Sequence, residues 1–169
     1  MERCQRCGKG NLSRLAIEDS LEVAGHVFTT AMPARRCGYT RCGDVLIDAK
    51  DIREFEKAVV LALARAGERS GGVVKALRTG IGMGLGRLAE LLDVEAETVV
   101  KWEEGTLPVP TQAAAMLRGL VMSRLGGGAA HVDGLALLRQ PRQLAARIRV
   151  HLAAPIDGLL SAVRTPAEA

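Results

Sequence analysis

Aromatic residues are almost missing from this sequence, since one Trp, one Tyr and two Phe occur in 169 residues. A core without large rings must be built from Leu, Val, Ile, Ala and Met, which suits packed helices better than an all-β sandwich. Long apolar runs are missing too, so no segment is predicted to span a bilayer. No apolar stretch follows Met1 as a secretory signal would require. We therefore expect a cytoplasmic protein whose cysteines are reduced.

An excess of charge of one sign is also missing. The chain has 23 Lys and Arg against 19 Asp and Glu, which leaves a net charge of +4. Such a balance is only a weak indication of a nucleic-acid partner. His131 and His151 have no Ser, Cys or Asp arrangement around them that indicates catalysis, so we do not expect an enzyme.

Cysteine is confined to the first quarter of the chain, as the pairs Cys4 with Cys7 and Cys37 with Cys42. A glycine directly follows each pair and permits the positive φ that a tight metal-binding turn needs. Two short loops on separate hairpins can bring four thiolates to one point, and tetrahedral zinc accepts four thiolates readily. We predict one structural Zn²⁺ on these four cysteines, which leaves no coordination position for a substrate.

Three alternatives to this zinc site stay open. His26 could replace one cysteine as a ligand, although a surface histidine is the simpler interpretation. A thioredoxin-like redox centre could use Cys4 and Cys7, but that centre expects a βαβ setting around it. Iron could take the place of zinc, because a four-thiolate site also holds iron.

Residue patterning predicts an α+β fold, with a small β-rich zinc module followed by an all-α domain and C-terminal helices. Short strands are expected within residues 20–32, with a turn at Gly25. A helix is predicted from Ile52 to Ala66, and the glycine-rich break at 67–72 marks a domain boundary. Further helices are predicted at 73–79, 86–92, 95–103, 111–124, 135–138 and 144–152. The predicted divisions are a zinc module (1–48), a helical linker (49–70), a helix-turn-helix domain (71–126) and a helical extension (127–169).

The segment from Leu77 to Leu120 carries the clearest functional pattern. Ala89 is small enough to let another helix approach, and Val99 and Trp102 are three residues apart, so both face inward. Three short helices at this spacing leave the outer face of the third helix free for the major groove.

Two stretches of this segment resemble a known family. The sequences RLAELLDV at 87–94 and TVVKWEEG at 98–105 are similar to the Cro/C1-type (XRE) helix-turn-helix. Together with the two cysteine pairs thirty residues apart, they resemble the MqsA (YgiT-type) antitoxin family over residues 1–125. The second cysteine pair has four intervening residues, where that family normally has two.

The resemblance implies a function. In the MqsA family the zinc module binds a toxin, an mRNA-cleaving interferase, and the helix-turn-helix domain dimerises and represses its own operon at a palindrome. A homodimer that binds double-stranded operator DNA and a cognate toxin is therefore expected. A stand-alone regulator without a toxin, and an interaction adaptor that has lost DNA binding, are the alternatives.

Five residues are candidates for DNA contact. Helix phase places Glu97, Thr98 and Lys101 outward for base contact, and Arg87 and Lys75 are candidates for phosphate contact. Residues 71–125 contain six basic and six acidic side chains. Because a neutral module gains little from counterion release, we expect affinity to be modest or to depend on dimerisation.

Overall fold

A computed structural model describes residues 2–126 and 143–152 of the chain. Within them a sheet precedes a set of helices, so the expected α+β class is confirmed. The elements, in chain order, are β1 (Leu12–Val23), β2 (His26–Cys37), β3 (Val45–Ile47), α1 (Ala49–Ala66), α2 (Gly71–Gly80), α3 (Leu85–Leu92), α4 (Ala96–Glu103), α5 (Thr111–Leu125) and β4 (Arg147–Arg149).

A long antiparallel hairpin forms the centre of the sheet. Strands β1 and β2 pair along their whole length, from Leu12 opposite Cys37 to Val23 opposite His26. Ala24 and Gly25 form the turn with φ values of 53° and 82°, and positive φ at both central residues is typical of a type I′ hairpin. The prediction of short strands within 20–32 was wrong in length, because each strand has twelve residues.

The other edge of β2 pairs with two short strands. Strand β3 lies antiparallel to residues 34–36, and β4 lies parallel to residues 27–29. The predicted helix at 144–152 was therefore wrong. The edge of β2 that faces away from β1 has unpaired backbone groups at residues 27–29, and β4 pairs with them. For example, the Thr29 carbonyl accepts a hydrogen bond from the Val150 N–H at 3.0 Å. The predicted helix at 135–138 lies outside the described residues.

A hydrophobic cluster joins the sheet to the helices. Along β2 every second side chain from Phe28 to Ala34 is buried, which is the period expected of a strand with one face on a core. Phe28 and Met32 pack in the same cluster as Phe55 of α1 and Leu117 of α5. The segment predicted as a helical linker thus contributes its buried face to the core. None of the described helices combines the length and the apolar character that crossing a bilayer requires.

Candidate functional site

Four cysteine sulfurs converge at the end of the hairpin that lies opposite its turn. All four Sγ atoms lie within 4.8 Å of one another, and the separations are 3.9 Å for Cys4 and Cys42 and 3.6 Å for Cys7 and Cys37. A tetrahedron of sulfurs around zinc has S···S separations of about 3.8 Å, because the Zn–S bond is about 2.3 Å. The two short separations match this value, and the four thiols lie close enough together to share one metal ion.

Two turns of similar construction present these sulfurs. In the first, the Gly8 N–H donates to the Cys4 carbonyl at 2.8 Å, and Gly8 has a φ of 67°. In the second, the Gly43 N–H donates to the Tyr39 carbonyl at 3.1 Å, and Gly43 has a φ of 58°. Both glycines occupy left-handed backbone that other residues adopt with strain. The expectation that a glycine after each pair permits such a turn is confirmed.

Backbone N–H groups point at the sulfurs and tune their protonation. The N–H groups of Gly10 and Lys9 donate toward Cys7 and lower its pKa to about 6. The N–H of Tyr39 acts in the same direction on Cys37, but burial and the neighbouring thiols prevail and raise the pKa of Cys37 to about 12. Negative charge therefore concentrates on Cys7, and a divalent cation that binds all four sulfurs must displace the remaining thiol protons.

The histidine alternative is wrong, because His26 lies at the opposite end of the hairpin. Cys37 follows it eleven positions later along the same strand, a distance of about 35 Å. Its ring is held elsewhere, with Nε2 at 3.0 Å from Glu68 Oε2 and Nδ1 at 3.0 Å from the Ala145 carbonyl oxygen. The thioredoxin-like setting is not found either, since the loop with Cys4 and Cys7 leads into an antiparallel hairpin.

Gly10 packs against the cysteine cluster and was not identified from the sequence. A Cβ at this position would meet the Sγ of Cys37 and would lie 2.8 Å from the Tyr39 nitrogen. We expect Gly10→Ala to displace Cys37 and weaken zinc affinity by about 10- to 100-fold, as substitutions beside metal ligands do.

Competition with a chromogenic chelator would measure this affinity. Gly38→Ala is the matched control, because a Cβ at Gly38 meets only the Asn11 carbonyl at an ordinary 3.4 Å. Equal affinities for the two variants would contradict the supporting role of Gly10.

A second feature is the pair of short helices α3 and α4. Asp93 ends α3 with a φ of 53°, and the Val94 N–H donates to the Ala89 carbonyl at 3.0 Å. Ala89, Val99 and Trp102 are all buried, as predicted. These contacts hold α4 by one face and leave its other face in solvent.

The five predicted DNA contacts lie on three helices. Lys75 is exposed on α2, and Arg87 is exposed on α3, where it pairs with Glu90 at 2.9 Å. On α4, Glu97 and Lys101 form an i,i+4 ion pair at 2.8 Å with side chains 77% and 51% exposed. Thr98 is half-buried. The structure thus brings the three α4 residues to one region, where two of them neutralise each other.

A buried ion pair holds α2 against α4 and was missed in the sequence. Arg78 Nε and Nη2 donate to the two carboxylate oxygens of Glu103 at 2.6 and 3.1 Å. Arg78 Nη1 donates to the Met83 carbonyl at 2.7 Å. The Arg78 and Glu103 side chains are only 10% and 8% exposed. A spacing of twenty-five residues has no helical or strand period, so only the packing of the two helices reveals the pair.

Comparison of the chain with protein-family models, curated proteins and solved structures finds no match.

Proposed function

We propose that this protein is a zinc-containing DNA-binding transcriptional repressor, and that it is the antitoxin of a type II toxin–antitoxin pair. The main support for the proposal is that α4 packs on the core by one face and exposes the other. Val99 and Trp102 are buried, and Glu97, Thr98 and Lys101 lie on the part of α4 that reaches solvent. A short helix anchored by one face on a rigid support is what major-groove recognition needs.

The metal centre supports a structural role rather than catalysis. Four sulfurs would complete tetrahedral zinc, which would leave no position for a water molecule or a substrate. Cys4 and Cys37 are almost fully buried, at 1% and 3% exposed. The zinc loops then form a rigid end of the hairpin, and we assign to this end the binding of the toxin.

Repression requires that zinc-loaded protein bind DNA upstream of its own gene. We expect a dimer to shift such a fragment in a gel, with a palindromic footprint. Lys101→Ala should weaken binding by about tenfold or more, the effect of losing a good base contact. Lys57→Ala is the matched control, because Lys57 also pairs with a glutamate, Glu54 at 3.7 Å, but lies on α1. Failure of the zinc-loaded chain to bind this fragment would contradict the proposal.

A second candidate is an interaction adaptor that no longer binds DNA. The ion pair between Glu97 and Lys101 favours it, since DNA must compete with Glu97 for the lysine. A stand-alone repressor is the third. Affinity purification from the host separates them: a stoichiometric small partner with promoter DNA supports the antitoxin, promoter DNA alone supports the repressor, and a partner alone supports the adaptor.

A further inference from the structure

Arg118 of α5 is a buried arginine with an unsatisfied donor. The residue is 5% exposed, and its Nε–H has no hydrogen-bond acceptor among the described residues. The contrast with Arg78 is direct, because Arg78 is buried to a similar extent and donates three hydrogen bonds to Glu103 and the Met83 carbonyl. A buried guanidinium donor without an acceptor is costly, so the unpaired Nε–H makes Arg118 a candidate to bind an anion.

A second arginine lies beside it. Arg69, in the loop between α1 and α2, donates from Nη1 to the Thr111 hydroxyl at 2.5 Å. Thr111 begins α5, and Arg118 follows seven residues later, so both lie on one face of this helix. Long helical side chains lean toward the helix N-terminus, which directs Arg118 toward Thr111. Burial lowers the pKa of Arg118, and the nearby charge of Arg69 lowers it further.

The Arg69 guanidinium therefore lies at the first turn of α5, on the helix face that also carries Arg118, and its charge acts on Arg118. No acidic side chain in residues 2–126 or 143–152 forms an ion pair with either of them. The helix N-terminus adds partial positive charge at the same place. The two guanidinium groups and the helix N-terminus are all positive, so an anion bound among them would relieve their mutual repulsion.

We propose that Arg69 and Arg118, at the N-terminal end of α5, form a binding site for a phosphate group. Phosphate suits the site because its oxygens match the fork of donors on each guanidinium. A phosphate monoester or inorganic phosphate also carries between one and two negative charges near neutral pH, which balances two arginines. Thr111 positions Arg69 by accepting its hydrogen bond.

The phosphate group can belong to a free small molecule or to the backbone of DNA. Both present the same oxygens to the arginines, and the site itself does not depend on the DNA-binding proposal. If the phosphate belongs to DNA, the two arginines contribute to DNA affinity, and if it belongs to a small molecule, they do not. A DNA titration distinguishes the two cases.

Thermal unfolding of the full chain in inorganic phosphate tests the site. At a phosphate concentration about five times its Kd, and at constant ionic strength set with chloride, we expect the midpoint to rise by about 2–4 °C. Arg69→Gln should abolish this rise, and Arg118→Met should do the same. If Arg118→Met fails to fold, Arg69→Gln carries the test, because Arg69 is exposed.

Arg65→Gln is the matched control, since Arg65 is an exposed arginine of α1 and should leave the rise intact. A rise of equal size in all variants would be a general salt effect and would overturn the site. Absence of a rise in the unmodified protein would overturn it as well.

Titration of duplex DNA across salt concentrations then identifies the source. If Arg69→Gln reduces the salt dependence by about one phosphate contact and inorganic phosphate competes with DNA, the site holds the DNA backbone. The site holds a free phosphate compound if inorganic phosphate raises the midpoint of the unmodified chain and Arg69→Gln leaves DNA binding unchanged. The same holds if the unmodified chain responds to phosphate and does not bind DNA. A chain that responds to phosphate but binds no DNA would reject the proposed repressor function and leave the phosphate site in place.

Discussion

Replacing Glu103 with Ala is expected to lower the free energy of unfolding by about 3–5 kcal/mol, because it leaves the Arg78 guanidinium buried and unpaired. For a chain of this length such a loss lowers the thermal midpoint by roughly 6–20 °C. Two of the three hydrogen bonds of Arg78 disappear with the carboxylate. Chemical denaturation monitored by circular dichroism measures the change.

Two variants show that the unpaired charge is the cause. Glu104→Gln is the matched control, since Glu104 is exposed on the next position, and a surface change of this kind stays within about 0.5 kcal/mol. The double variant Arg78→Met with Glu103→Leu should recover most of the loss, because a well-packed apolar pair commonly replaces a buried ion pair. If the double variant is as unstable as Glu103→Ala, the lost free energy of unfolding comes from packing and not from the unpaired charge.

Loss of the metal is expected to open the cysteine loops while the helices stay folded. Cys37→Ser should reduce zinc from one ion per chain to well below one, since a structural zinc site uses all four ligands. The helices should persist because the hydrophobic cluster of α1, α2 and α5 includes none of the cysteines. Metal analysis gives the stoichiometry, and amide hydrogen exchange locates the opening.

Exchange should accelerate at the Cys4 and Gly8 amides, whose acceptors are the Gly10 and Cys4 carbonyls, and stay slow at Val121 of α5. His26→Gln is the control, because His26 lies outside the metal centre and the variant should retain one zinc ion. Full zinc in Cys37→Ser would contradict the four-thiolate assignment. Visible absorbance from thiolate-to-iron charge transfer in the purified protein would show that the bound metal is iron and not zinc.

Raising the pH is expected to strengthen metal binding. The pKa of Cys37 is raised to about 12, so its thiol is protonated at neutral pH and must lose the proton when the metal binds. Apparent affinity should therefore increase between pH 6 and pH 8, with protons released to the buffer. Calorimetric titration in buffers of different ionisation enthalpy measures this release. A pH-independent affinity would contradict the involvement of protonated thiols.

Much of the helical part could be predicted from the sequence because its signals are local. Val99 and Trp102 share a helix face three residues apart, and both are buried. The four cysteines were recognisable by residue type and spacing, although the separation of the two pairs says nothing about distance in space. The helix predicted at 144–152 failed because an apolar residue every fourth position also suits a short strand that finds a free sheet edge.

Local patterns along the chain specify the elements that repeat within a few residues: the hairpin turn at Gly25, the helices around Val59 and Val99, and the four cysteines as candidate metal ligands. The packing of the folded chain sets which distant groups meet. It pairs Arg78 with Glu103, brings the charge of Arg69 within reach of Arg118, and puts Gly10 against Cys37. Such contacts depend on how the helices and loops pack, and no periodicity along the chain encodes them, because side chains brought together by packing need share no spacing in sequence.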